Sequence, residues 1–252
     1  MDALYWSISS ICIPAALALS AFWLFFRKPA MRLVGALCDD RVLRIPMIMA
    51  FTILGLAQAN RFYLLAFDRL PQEISSKPLA MAATSTNLLF IFVLARLTTV
   101  RSIPNKSVKG LSPRLYAFWG TFASLLLSVL PPAGIPDAAR AISIAMVIVG
   151  ASLSLFTVSW LGRCFSIFPQ SRRLVTEGPY VVVRHPLYVC EEIIVIGIMI
   201  DHLSWAAAVI VVGQWYCQLK RIKYEEQVLS ETFPEYADYA QRTPALIPFV
   251  GR

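Results

Sequence analysis

Apolar runs recur along the whole chain, most of them close to the ~20 residues that an α-helix needs to cross the ~30 Å hydrocarbon core of a bilayer. No other feature restricts the fold as strongly. Backbone N–H and C=O groups find no water in that core, so the runs read as helices that satisfy their own hydrogen bonds. Seven segments read at 5–26, 45–67, 78–100, 115–131, 140–161, 187–200 and 204–219. Their length favours helices, and the expected class is all-α: a polytopic transmembrane helical bundle of about seven membrane segments. Composition agrees, with 58% apolar and 15% charged residues, against roughly 45–50% and 25% in soluble domains. The sixth segment is short. It and the seventh are expected to form a tight hairpin that turns at Asp201-His202 and barely crosses.

Charge placement sets the orientation. The loop at 27–44 carries Arg27, Lys28, Arg32, Arg41 and Arg44, and the loop at 96–114 carries Arg96, Arg101, Lys106, Lys109 and Arg114. Arg163, Arg172, Arg173 and Arg184 follow the fifth segment, and Lys220-Arg221 follows the seventh. In the alternate loops Arg69 and Lys77 are offset by Asp68 and Glu73, and Arg140 by Asp137. Positive charge gathers on the cytoplasmic side, which puts the N-terminus outside and the C-terminus in the cytoplasm. The net charge of +8 is accounted for by these loops and by anionic headgroups. No aromatic-basic platform for nucleic acid appears. The N-terminus lacks the basic start of a signal peptide, and the first apolar run is expected to be a retained helix. Cys12, Cys38, Cys164, Cys190 and Cys217 form no CxxC pair and read as small buried hydrophobes, without a disulfide or metal framework.

Two polar blocks flank the C-terminal hairpin and gain nothing for membrane insertion. Block one runs Gly178-Pro-Tyr-Val-Val-Val-Arg-His-Pro-Leu-Tyr188. Gly178-Pro179 marks a turn, and Pro186 suits the first position of a helix with His185 just before it. Tyr188 and Glu192 share a helical face at i,i+4, and Glu191 lies beside them. Block two holds Arg221, Glu225 and Glu226, with Arg221 and Glu225 again at i,i+4. Pro234 then opens a short amphipathic helix carrying Tyr236 and Tyr239. Both blocks fall on the cytoplasmic face, at the two feet of one hairpin. A site there can draw a soluble cofactor from the cytoplasm and a lipophilic substrate from the bilayer.

Three motifs carry a resemblance. They are Leu174-Val-Thr-Glu-Gly-Pro-Tyr-Val-Val-Val-Arg-His-Pro-Leu-Tyr188, then Arg221-x-x-x-Glu225-Glu226, then Phe233-Pro-Glu-Tyr-Ala-Asp-Tyr239 with Arg242, Pro244 and Ile247-Pro248 beyond. In this order, around an apolar hairpin, they resemble the isoprenylcysteine carboxyl methyltransferase and phospholipid methyltransferase superfamily. The resemblance covers about residues 160–250. It implies helices in 1–160 that act as scaffold and substrate access, and a methyltransferase core at 161–252 with a cytoplasmic-side pocket at the foot of the hairpin.

By the same resemblance, S-adenosylmethionine is held by Arg172, Arg173, Leu174, Val175, Tyr180, His185, Pro186, Leu187, Tyr188, Glu225 and Glu226, while Arg221 faces the substrate. The implied acceptor is a lipid, a lipidated group or another lipophilic molecule. Where the prenylcysteine enzymes have glycine shortly after the motif tyrosine, this chain has Cys190 and then Glu191-Glu192.

The residue types suit the chemistry. Tyr180, Tyr188 or Tyr236 can stack on adenine or face a sulfonium, and Glu225 can take its amino or ribose donors. A carboxylate acceptor needs only Arg221 to orient it. An amine, thiol or phenol must lose a proton, with Glu191, Glu192 or His185 as base.

Plainer readings stand beside these. His185 can cap the helix, Arg221 and Glu225 can form an interfacial ion pair, and Gln58, Asn60, Arg61, Asn87 and Gln214 can be interhelical glue. Two rival functions are a sterol-reductase-type enzyme using NADPH, which shares the Arg-His-Pro-x-Tyr stretch, and a non-catalytic transporter or scaffold. The second polar block disfavours the first rival. The gathering of charge on one face disfavours the second.

Overall fold

The computed structural model describes residues 40–67 and 77–248. The first apolar segment, Cys12, Cys38 and the N-terminal orientation lie outside the described residues. Of the remaining six segments, five each fall on one α-helix, and the fourth falls on an α-helix continued by a 3₁₀ helix. In chain order the elements are α1 (Asp40–Ala66), α2 (Lys77–Val100), β1 (Lys106–Ser107), α3 (Ser112–Phe122), α4 (Asp137–Leu161), β2 (Gln170–Ser171), α5 (Pro186–Asp201), α6 (Trp205–Thr232) and α7 (Tyr236–Arg242). The two short strands pair antiparallel, Lys106 opposite Ser171.

Among the described residues, three stretches are long and apolar enough to cross a membrane: Val42–Ala66, Lys77–Val100 and Asp137–Cys164. The hairpin is built differently. The α5 helix has 16 residues, roughly 24 Å at the α-helical rise. The α6 helix has 28 residues and runs without a break from the apolar run through Lys220 to Thr232. Its faces are reversed from those of a helix in water. Val209 and Val212 are exposed, while Gln214, Gln218 and Arg221 are each 2% exposed. Apolar out and polar in is the arrangement expected where the surroundings are lipid and the partners of polar groups lie inside the bundle.

The fourth apolar segment is not one α-helix. After Phe122 the chain tightens into a 3₁₀ helix, Ala123–Val129, and stops where Pro131-Pro132 remove two N–H donors and bar Leu130 from helical geometry. Together the two pieces still span roughly 30 Å at their ordinary rises.

The helix order follows from packing. The α1 helix lies on α2, α2 on α4, α4 most extensively on α5, and α3 on α6. Gly150 lets α4 and α5 meet, since a β-carbon there would sit 2.9 Å from the Cys190 carbonyl oxygen. The principal apolar cluster joins Leu43, Met47 and Phe51 of α1 to Leu94, Leu97, Phe118, Phe122, Val158, Phe165 and Leu187. Cys190 is buried, and Cys164 and Cys217 are half-buried; all three are free thiols.

One ionic knot fastens the start of α1 to the rest. Asp40 is 4% exposed. Its carboxylate meets Arg101 at 2.8 Å, Arg172 at 3.0 Å and Arg44 at 2.9 Å. Arg172 also donates to the Ser102 carbonyl (2.7 Å) and the Gln170 side-chain oxygen (2.8 Å). Burial pulls the Arg101 guanidinium down to about 10 even though Asp40 opposes the shift.

Candidate functional site

The site is assembled where the foot of the hairpin meets the chain's tail. Gly178 adopts φ +60°, a left-handed geometry that only glycine takes readily. A β-carbon there would also strike the Trp160 ring at 2.5 Å. The 3₁₀ turn Gly178–Val181 that follows buries Tyr180, whose carbonyl accepts from the Tyr239 hydroxyl of α7 at 2.7 Å. The chain then extends, and His185 occupies the N-cap of α5 with Pro186 opening the helix.

The His185 side chain makes no capping bond. Its Nε2 lies 3.1 Å from Glu226 Oε1. Arg184 donates to the same oxygen at 2.8 Å, and to the carbonyls of Ala240 (2.8 Å) and Thr243 (2.7 Å). Two backbone bonds complete the seam, from the Arg184 amide to the Pro244 carbonyl (2.8 Å) and from the His185 amide to that of Ala245 (3.0 Å).

Glu226 feels opposing effects. Burial alone would raise its pKa, but the hydrogen bond and attraction of His185, and then the Arg184 guanidinium, outweigh it and lower the carboxyl from 4.5 to about 2. A depressed carboxylate stabilises the folded state fully above its unfolded value, and the contribution is lost as pH falls through the folded one. Tail docking, followed by proteolysis after Arg242, is therefore expected to hold at pH 5. It weakens progressively below about 4.5 and is lost near 2. In Glu226→Gln this acid dependence disappears. Burial also raises the hydroxyl of Tyr239, to about 12, and those of Tyr180 and Tyr236 well above 10. All three stay protonated and serve as neutral donors or packing groups.

One turn into α5, Tyr188 is held on several sides. The His185 ring stacks on it, with centroids 5.4 Å apart and planes 7° from parallel. Arg221 lies over its ring at 4.6 Å, and its hydroxyl donates to Glu225. Arg221 does not form an ion pair with Glu225. Its Nη1 donates to Thr121 at 3.0 Å and lies 4.0 Å from Glu191, while its Nε is buried without a partner among the described residues.

Deeper still, Gln218 donates to Glu191 at 2.9 Å, and Gln214 donates to both Glu192 and the Gly120 carbonyl at 3.0 Å. Residues 214, 218, 221 and 225 are spaced i, i+4, i+7, i+11, so α6 presents them as one polar stripe. Gly120 permits the close contact of α3 with that stripe, since a β-carbon there would lie 2.7 Å from Gln218 Oε1.

Of the residues singled out in the sequence, His185, Tyr188, Glu191, Glu192, Arg221, Glu225 and Glu226 converge here. Pro186 shapes the helix start, and Leu187 packs into the main apolar cluster. Arg172 is occupied in the Asp40 knot, and Arg173 is exposed. Leu174 lines a cleft of about 520 Å³ together with Thr176, Val181, Glu235, Tyr239, Arg242 and Thr243. Val175 is half-buried beside it in sequence. Sequence reading missed Arg184, Gln218 and Thr121 as parts of the site. The i, i+4, i+7 spacing of Gln214, Gln218 and Arg221 was the available signal for one of them.

Residues 138–236 match the phospholipid methyltransferase family model. The chain is 38% identical over 111 residues to a nickel-cobalt-cadmium resistance protein of Alcaligenes xylosoxydans xylosoxydans, covering 42% of this chain and 52% of that one. It is 35% identical over 117 residues to protein-S-isoprenylcysteine O-methyltransferase B of Arabidopsis thaliana, covering 43% and 58%. A probable protein-S-isoprenylcysteine O-methyltransferase of Oryza sativa subsp. indica is 31% identical over 118 residues, covering 43% and 61%. The chain thus spans about half the length of the curated relatives it matches.

Proposed function

We propose that this chain is an integral-membrane, S-adenosylmethionine-dependent methyltransferase acting on a lipophilic or membrane-delivered acceptor, a reading supported by the match of residues 138–236 to the phospholipid methyltransferase family model and by the likeness to isoprenylcysteine methyltransferases. The observation that carries the reading is the convergence of His185, Tyr188, Arg221 and Glu225 at the foot of the hairpin, closed by the tail. Matches to methyltransferases favour it over the reductase alternative. A polar cluster gathered at one end of the hairpin favours it over a transport path.

The residues present fit the cofactor. Tyr236 Oη is a buried polar atom without a hydrogen-bond partner among the described residues, as expected of a donor kept for a ligand. The cleft beside Leu174 is bordered by Arg242 and Glu235, opposite charges suited to the carboxylate and amino groups of a zwitterion. Its volume lies in the ordinary range for small-molecule sites. Tyr188 with His185 supplies a flat aromatic surface, and Glu225 an anionic acceptor. When bound, the cofactor supplies an electrophilic methyl group on a sulfonium. The protein holds the acceptor in line with it, an effect worth up to ~7–11 kcal/mol.

In this reading seven segments cross the bilayer, and the basic loops hold the site on the cytoplasmic side. Titration of the full chain in detergent micelles with S-adenosylhomocysteine and with NADPH, followed by calorimetry, tests it. S-Adenosylhomocysteine is expected to bind and NADPH not to. Binding of NADPH alone would refute the methyltransferase reading.

A further inference from the structure

Resting on the methyltransferase reading, we infer that the methyl acceptor is an amine whose ammonium is received by Glu192, rather than a carboxylate received by Arg221. The polar stripe inside the hairpin holds one cation, Arg221, against the carboxylates of Glu191, Glu192 and Glu225. Arg221 is 2% exposed, bonded to Thr121, laid over Tyr188 and set 4.0 Å from Glu191. Its charge is already balanced, and a substrate carboxylate would have to displace Glu191 to reach it.

The opposite holds around Glu192. Its single described partner is the neutral amide of Gln214, and Gln214 shares that amide with the Gly120 carbonyl. Gln214 is 2% exposed, and its own Oε1 is buried with no partner among the described residues. Carboxylate, carbonyl and amide oxygen are all acceptors. No charged donor among the described residues meets them, although an uncompensated carboxylate in apolar surroundings is costly. A primary ammonium supplies what is missing: positive charge and three N–H donors.

The reaction then balances. The ammonium gives a proton to Glu192. The freed nitrogen lone pair forms the N–C bond as the methyl carbon's bond to sulfur breaks, with its electron pair staying on sulfur. The product is a secondary ammonium and a neutral thioether, and the proton on Glu192 passes to solvent.

A matched pair of probes separates the two acceptor chemistries: the S-farnesyl thioethers of cysteamine and of 3-mercaptopropanoate differ only in their amine or carboxylate end. Binding of each to the wild-type chain is read by calorimetry without cofactor, and methylation with radiolabelled S-adenosylmethionine. The amine is expected to bind tighter by roughly 10- to 100-fold, as for a charge-assisted bond, and to be the one methylated. Glu192→Gln is expected to erase that preference and to lower amine turnover about 100-fold, leaving S-adenosylhomocysteine affinity unchanged. The wild-type comparison stands even where the variant does not fold.

Equal or better use of the carboxylate overturns the inference, and so does an amine preference that survives in a folded Glu192→Gln. Use of neither probe by a chain that binds S-adenosylhomocysteine overturns it too, and leaves the methyltransferase reading standing. Failure to bind S-adenosylhomocysteine removes that reading itself.

Discussion

Asp40→Ala is expected to destabilise the protein by about 3–5 kcal/mol, the penalty for leaving buried charge without its partner. The size follows from what remains. Arg101 and Arg172 each have side chains 1% exposed, and both point at one Asp40 oxygen. Both are buried, and the repulsion between Arg172 and Arg101 is left without an anion to offset it. Arg44→Ala removes the third, more exposed partner, with 20% of its side chain accessible. It is expected to cost no more than about 1 kcal/mol. Thermal unfolding in detergent compares the two variants. Equal losses would mean that the knot is not what fastens α1 to the core.

The largest effects on ligand binding are expected at His185 and Glu225. His185 stacks on Tyr188 and Glu225 accepts its hydroxyl, so each variant releases the aromatic ring proposed to face the cofactor. Glu225→Ala also removes a charged acceptor, a loss of about 1.5–3 kcal/mol, or roughly 10- to 100-fold in affinity. His185→Ala and Glu225→Ala are therefore expected to abolish measurable S-adenosylhomocysteine binding at micromolar protein. Arg221→Ala is expected to keep that binding and lose turnover, because Arg221 faces Thr121, Gln218 and Glu191. Equal loss of affinity in all three variants would refute this division of roles.

The parts of this molecule that were legible in the sequence are those set by local rules. Apolar runs announced the helices. Pro186 announced the start of α5, Gly178-Pro179 the turn before it, and Asp201-His202 the hairpin bend. What stayed hidden depends on which of many similar charges meet in space. Asp40 and Arg172 are 132 residues apart, and nothing local distinguishes Arg172 from the exposed Arg173. Glu226 reads in the sequence as a neighbour of Glu225, and the partners it meets are not legible there. Its position one residue on turns it about 100° around α6, toward Arg184 and His185. The 3₁₀ stretch at Ala123–Val129 was hidden for another reason: its apolar side chains suit either helix type, and only its end is marked, by proline.

The seam between block one and the tail carries a consequence for the order of events in making the protein. Arg184 and His185 give their backbone amides to the carbonyls of Pro244 and Ala245, about 60 residues downstream, and Arg184 grips Ala240 and Thr243 as well. Synthesis proceeds from the N-terminus, and helices pack as they emerge. The hairpin can thus be inserted while the pocket at its foot is still open. Residue 245 is the point of completion. A nascent chain halted before it holds every helix from α1 to α6 and lacks this seam, so on the proposed reading the site is completed only after those helices have been made.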